Sequence, residues 1–329
     1  MVTHRSWHWL VALAVFAIVC VAGVAYGTIR IPVADVIRAL TGEGDTSVIA
    51  IVRDLRLPRV ALAALIGAGL GMSGGALQGT LRNGLAEPYL LGVSGGAAVG
   101  AVAAFAAGIG DAGWIALSAF VGAAIAVLLA LLVARAAGRG GRGDPRTLLM
   151  AGVVIGAFAN AVIMVALANA PPNTVRGALW WMMGSAGDAT WQTVTVLAVS
   201  ILVGGAALIY LARDIDVLAL GEEPAAALGV DVDRAARTIY LLSALLAAAT
   251  VAAAGLVGFV GLIVPHIVRS AGLRRHRPLL LGTAVVGATL VVAADLAART
   301  LRPPAELPLG AVTAILGVPF FLAQLRKTA

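Results

Sequence analysis

The chain has 329 residues, 61% of them hydrophobic and 12% charged. A soluble core of this size needs far more polar surface, so the composition excludes an ordinary water-soluble domain and indicates one all-α integral membrane bundle spanning residues 1–329. The net charge of +7 does not indicate nucleic-acid binding, because the arginines are scattered between apolar runs; the single cysteine, Cys20, rules out intrachain disulfides and cysteine-rich metal sites.

A membrane-crossing helix needs about 20 apolar residues. The candidate runs are 9–28, 59–81, 89–109, 113–134, 148–168, 191–211, 238–256, 258–268, 279–298 and 308–325. The first, preceded by Arg5, has the flavour of a signal peptide but is longer than a typical apolar region of one, and more membrane follows, so it is expected to remain as a span. Thr28 to Asp54 is polar and contains Pro32. The second and third runs are crowded with glycine (Gly67, Gly69, Gly71, Gly74, Gly75 and Gly79, then Gly92, Gly95, Gly96 and Gly100), which lets helices approach closely in lipid. Gly69 to Gly74 also fits GxGxxG, but a nucleotide loop needs a preceding strand and an aqueous pocket, so helix packing is the reading here. After Pro171 and Pro172 a short surface helix is expected at about 174–183.

Arg213 to Arg237 carries six acids and three arginines and is long enough to fold in water. It reads as two short helices. Asp214 and Asp216 are N-cap candidates for the first and Gly221 its stop; Glu222, Glu223 and Pro224 open the second, and Gly229 ends it. Such a knob is a surface for another protein to grip.

Thr238 to Val268 has no charge over 31 residues, about 46 Å of helix, too long for one crossing and short for two. The positive-inside bias decides. Two crossings put Arg269, Arg274, Arg275, Arg277, Arg326 and Lys327 inside and only Arg299 and Arg302 of that half outside. Over the 23 basic residues the split becomes 15 inside and 8 outside, with ten spans and both termini cytoplasmic. One span is then short: Gly255, Gly258 and Gly261 allow a tight re-entry, and Pro265 is expected to interrupt the helix.

Several chemistries find no residues. A Walker A loop needs lysine before Ser or Thr, and the only lysine is Lys327, without a glycine-rich loop before it; any ATPase must be a separate subunit. Embedded acids are few. Asp295 stands four residues before Arg299 and fits structural pairing, and Glu87 lies in the loop before Pro88. This scarcity weakens the alternative of an ion- or proton-coupled secondary transporter. His266 after Pro265 reads as a hydrogen-bonded structural histidine, not a metal site, and His4, His8 and His276 as peripheral. At the outer mouth, Arg53, Arg56 and Arg59, with Arg299 and Arg302, form a basic rim suited either to lipid headgroups or to an acidic soluble partner.

The residues also carry a family likeness. Arg56-Leu57-Pro58-Arg59, Asn83-Gly84-Leu85-Ala86-Glu87-Pro88, Leu91 to Gly96, Ala219 to Val230, Gly258 to Arg269 (with Gly261, Pro265 and His266), Glu306 to Gly310 and Gly317-Val318-Pro319 together resemble the FecCD family. These are permease subunits of type II ABC importers for iron–siderophores, haem and vitamin B12. The resemblance implies ten spans, a homodimer in the bacterial inner membrane, two cytoplasmic ABC ATPase subunits that hold ATP and Mg, and a periplasmic substrate-binding protein. No cofactor or metal is implied for the chain itself. The family's coupling helices fall on about 214–230, with Asp214, Leu218, Leu220, Gly221, Glu222, Glu223, Leu228 and Gly229 as coupling residues. Its binding-protein contacts fall on Arg56, Arg59 and Arg299, and its inner gate on Asn83 and Leu85, where glycine replaces the family's proline between them. A second gate loop would fall on Asp144-Pro145-Arg146-Thr147, which lacks the expected small hydroxyl pair.

Overall fold

The glycine-rich second run forms the axis of the bundle. The computed structural model describes residues 3–137 and 145–328, so of the second gate loop Asp144 lies outside the described residues and the other three positions open α7. The elements are helical throughout this part: α1 (Thr3–Ala25), α2 (Val33–Thr41), α3 (Thr46–Ala50), α4 (Leu57–Thr80), α5 (Val93–Ala106), α6 (Ala112–Ala137), α7 (Pro145–Ala168), α8 (Pro172–Met182), α9 (Trp191–Tyr210), α10 (Ala212–Leu218), α11 (Glu222–Ala227), α12 (Val232–Ala254), α13 (Val260–Ser270), α14 (His276–Thr300) and α15 (Leu309–Thr328). Among the described residues seven helical stretches are long and apolar enough to cross a membrane, and three shorter apolar ones, α5, α13 and Leu309–Leu322 of α15, fill the remaining predicted runs.

Two boundaries differ from the expectation. The second run begins earlier, because α3 and α4 are joined through a π-helical turn at Ile51–Arg56 into one helix from Thr46 to Thr80. The seventh begins at Val232, where Asp231 accepts a hydrogen bond from the Arg234 amide and starts the helix inside the charged segment. The expected surface helix is present as α8.

Packing explains the glycines. A Cβ on Gly67 would enter the backbone of Gly287, one on Gly71 the Thr283 carbonyl, and one on Gly74 the backbone of Gly261. Thus α4 lies against α14 and α13 with backbones in contact, as small residues permit in lipid. Gly96 and Gly100 do the same for α5 against Gly122 and Ser118 of α6. The GxGxxG match is accordingly a packing face: Gly69 meets Ile201 and Thr250. The turns at the end of the bundle away from α10 and α11 are tied by backbone bonds. Ser185 N–H donates to Ala254 O at 2.8 Å, Leu309 N–H to Gly184 O at 3.0 Å and Gly310 N–H to Met183 O at 3.1 Å, which fixes the turn after α8 to the end of α12 and the start of α15.

Candidate functional site: coupling hairpin, gate loop and arginine cluster

At one end of the bundle, α10 and α11 form the predicted hairpin. The glycine stops are real: Gly221 (φ +121°) and Gly229 (φ +81°) both take positive φ, which costs a side-chain-bearing residue dearly. Asp214 and Asp216 are not N-caps, because α10 already begins at Ala212, with Leu211 at its N-cap position. Asp216 serves a different helix: its Oδ1 accepts from the His276 N–H at 2.9 Å and faces His276 Nδ1 at 2.7 Å, so it caps α14 from across the fold. His276 is therefore buried, not peripheral.

Beneath the hairpin, Ile215 and Leu218 are buried and Ile215 packs at Gly79 of α4. Leu218 therefore anchors the hairpin to the bundle and is not on its surface. Leu220 and Leu228, by contrast, are 64% and 60% exposed. Two exposed leucines beside Asp214, Glu222 and Glu223 make an apolar surface with an acidic rim, as protein interfaces have. Glu222 also sits 3.9 Å from Arg82 at the end of α4.

The gate-loop residues form a compact turn. Asn83 Oδ1 accepts from the Leu85 N–H at 2.9 Å, Leu85 is half exposed, and Arg82 takes a left-handed conformation (φ +49°). The loop then dips into the bundle. Glu87 Oε1 accepts from the Phe259 N–H at 2.7 Å, and the Tyr89 hydroxyl accepts from Val257 N–H at 3.0 Å. The loop is thus bonded to the turn that starts the short helix α13.

That turn corrects two expectations. Gly255 (φ +71°) is required, and a Cβ on Gly261 would meet Pro88 at 2.8 Å, but Gly258 faces open space with no positive φ; the left-handed residue is Phe259 (φ +67°). Nor does Pro265 stop the helix, since α13 runs through it to Ser270. Proline lacks an N–H, which frees the Gly261 carbonyl four residues back. Gln78 of α4 reaches it with Nε2 at 3.3 Å, with Leu262 O at 3.2 Å, while Arg269 Nη1 donates to Gln78 Oε1 at 2.5 Å. Gln78 is a positioning residue that the sequence did not single out. His266 Nδ1 lies 3.0 Å from the Leu262 carbonyl, and a Cβ on Gly84 of the gate loop would sit 3.4 Å from its Nε2, in line with a structural histidine.

At the opposite end the expected rim is folded inward. Arg56, 7% exposed, donates Nη1 to Val24 O at 2.7 Å and Ala25 O at 2.9 Å, and Nη2 to Ile29 O. Arg299 is buried; its Nη2 donates to Gly23 O at 2.5 Å and its Nε stands 3.3 Å from Asp295. Arg59 is mostly covered and spans both acids: Nε lies 3.0 and 3.1 Å from the two Asp295 oxygens, while Nη1 and Nη2 grip Glu306 at 2.8 and 2.9 Å. Asp295 therefore pairs as expected with Arg299 and, more closely, with Arg59. The Arg59 hydrogen bonds hold the Glu306 carboxyl below its ordinary range. Arg56 and Arg299 are thus corrected from surface docking groups to internal ties: Arg56 is spent on the Val24, Ala25 and Ile29 carbonyls, and Arg299 on the Gly23 carbonyl beside Asp295. Arg302 is exposed at the same end.

A helical bundle with several apolar spans and an exposed acidic hairpin has the build of a membrane transport subunit. The chain matches the FecCD transport family over residues 14–327, and it belongs to that family. It is 42% identical over 276 residues to the cobalamin import system permease protein BtuC of Halobacterium salinarum, covering 84% of this chain and 73% of that one. It is 42% identical over 272 residues to the hemin transport system permease protein HmuU of Yersinia pestis, covering 82% and 81%. It is 36% identical over 331 residues to the ABC transporter permease protein YvrB of Bacillus subtilis, covering 97% and 93%. Among solved structures, an inward-facing conformation of a metal-chelate type ABC transporter aligns with a TM-score of 0.86 at 28% identity, covering 97% of this chain and 98% of that one. The secondary-carrier alternative finds no support in these relatives.

Proposed function

We propose that this chain is the permease subunit of an ATP-driven importer that carries an iron chelate (siderophore or haem) or cobalamin from periplasm to cytoplasm. Family membership and the named cargoes of its relatives support the cargo class. The observation that carries the mechanism is the hairpin: two leucines exposed on an acidic knob that follows α9 after the single turn residue Leu211 and is bonded to α14.

In this reading the chain crosses the inner membrane ten times with both termini cytoplasmic, and two copies enclose the path. Two ABC ATPase subunits, holding ATP and Mg, press on Leu220 and Leu228 with Asp214, Glu222 and Glu223 at the rim. Gly221 and Gly229 set the hairpin's turns, and Leu218 passes the displacement to the bundle. Asn83 and Leu85 form the inner gate. Gly261, Pro265, His266 and Arg269 hold the short span against the gate loop through Gln78 and Pro88, and Gly258 is spare. A periplasmic binding protein docks at the opposite end, where the exposed Arg302 presents positive charge over a base locked by Arg56, Arg59 and Arg299. Because the apolar runs offer few polar hooks, cargo selectivity belongs to the binding protein.

The test is uptake into vesicles. Reconstituted permease with its ATPase should import cargo when supplied with ATP after ion gradients are collapsed. Uptake by the permease alone, driven by a gradient, would refute the reading.

A further inference from the structure

The hairpin end carries a second feature that neither coupling nor gating uses. A cleft of about 710 Å³ opens between the end of α9, the start of α10 and the start of α14, lined by Ala206, Ile209, Tyr210, Arg213, Arg275 and Arg277. All three arginines are exposed, and no salt bridge to any of them is found among the described residues. The one carboxylate in the cleft, Asp216, is engaged by His276. Three guanidinium groups against this one carboxylate leave the cleft net positive.

Its position fixes the kind of anion. Both Trp191–Tyr210 and His276–Thr300 are candidate membrane spans, and the cleft sits where they end together. Below it, Val199, Val203, Ala206 and Tyr210 form one exposed stripe on α9, and Leu281 stands exposed one turn below Arg277 on α14. A ligand here meets guanidinium groups at the boundary and an apolar track running into the membrane. Guanidinium forks match phosphate oxygens, and basic pockets between spans are suited to phospholipid headgroups.

We propose that this cleft binds an anionic phospholipid, its phosphodiester held by Arg213, Arg275 and Arg277 and one acyl chain lying on the Val199–Tyr210 stripe. Arg213 belongs to the hairpin's first helix, while Arg275 and Arg277 flank the α14 start. The bound headgroup ties the hairpin to α14 beside the Asp216–His276 bond and makes its seating sensitive to lipid charge. This site needs only the hairpin end to lie at a membrane surface; it does not depend on ATP-driven import.

Native mass spectrometry of the purified permease in mixed micelles of phosphatidylglycerol and phosphatidylcholine tests it. The wild type should retain phosphatidylglycerol preferentially. The triple variant R213Q/R275Q/R277Q should lose that preference by at least about tenfold, and R213K/R275K/R277K should keep much of it. Excess inorganic phosphate should leave the lipid bound; displacement by phosphate would overturn the lipid assignment. Unchanged lipid retention in the glutamine variant, with or without lost ATPase binding, would also overturn it. Should that variant not fold, the wild type should still melt at higher temperature in phosphatidylglycerol than in phosphatidylcholine, and equal melting would refute the site.

Discussion

The two ends of this bundle are finished in opposite ways. At the Arg59 end the guanidinium groups of Arg56, Arg59 and Arg299 turn inward onto carbonyls, Asp295 and Glu306. At the hairpin end leucines and arginines are left on the surface, with Leu220, Leu228, Arg213, Arg275 and Arg277 all exposed. Similar charged residue types thus serve two purposes. Satisfied internally, they lock α1, α4, α14 and the loop before α15 into one block; unsatisfied, they form surfaces that need a partner. A transport subunit driven as proposed above, by a separate ATPase, would need both a rigid frame and a handle.

The contrast can be broken most severely at Asp295, which is 1% exposed between two arginines. Asp295→Ala leaves two buried guanidiniums short of their counter-charge and should cost about 3–5 kcal/mol. Thermal unfolding in detergent would read this as a large loss, and a melt like the wild type's would mean the pairing is not structural. Next comes the axis shared by both ends. Gly74→Ala drives a methyl into the Gly261 backbone and should cost about 1–3 kcal/mol by the same assay; a neutral result would place the α4–α13 contact wrongly. The smallest effect belongs to Glu306, whose side chain is 37% exposed. Glu306→Gln should cost under about 1 kcal/mol. Its carboxyl is held below the usual range, so its contribution is present at neutral pH and is lost as pH falls through that lowered value. In hydrogen exchange the loop before α15 should loosen on acidification in the wild type but not in the variant.

Much of this could be read from the sequence because it is local. The hairpin's turns follow from Gly221 and Gly229, the shortness of α13 from an uncharged run too brief for two full crossings, and the Asp295–Arg299 pair from spacing of four along a helix. What escaped is long-range. Nothing near Gln78 announces that it will serve a carbonyl 183 residues away, freed by a proline. His276 and Asp216 are 60 residues apart and neither belongs to a motif on its own. Arg56, Arg59 and Arg299 were legible as charge but not in direction, because whether a guanidinium faces water or a carbonyl depends on the segments that close over it. Phe259, not Gly258, carries the left-handed turn since the Glu87 carboxylate from another loop fixes its N–H.

The proposed mechanism turns on the exposed hairpin. Leu220→Asp with Leu228→Asp changes only surface side chains of α10–α11, so the purified double variant should melt within about 0.5 kcal/mol of the wild type. Yet it should no longer co-purify with its ATPase, and vesicles containing both should show no ATP-driven uptake. Full co-purification and transport by this variant would contradict the claim that the hairpin is where the drive enters.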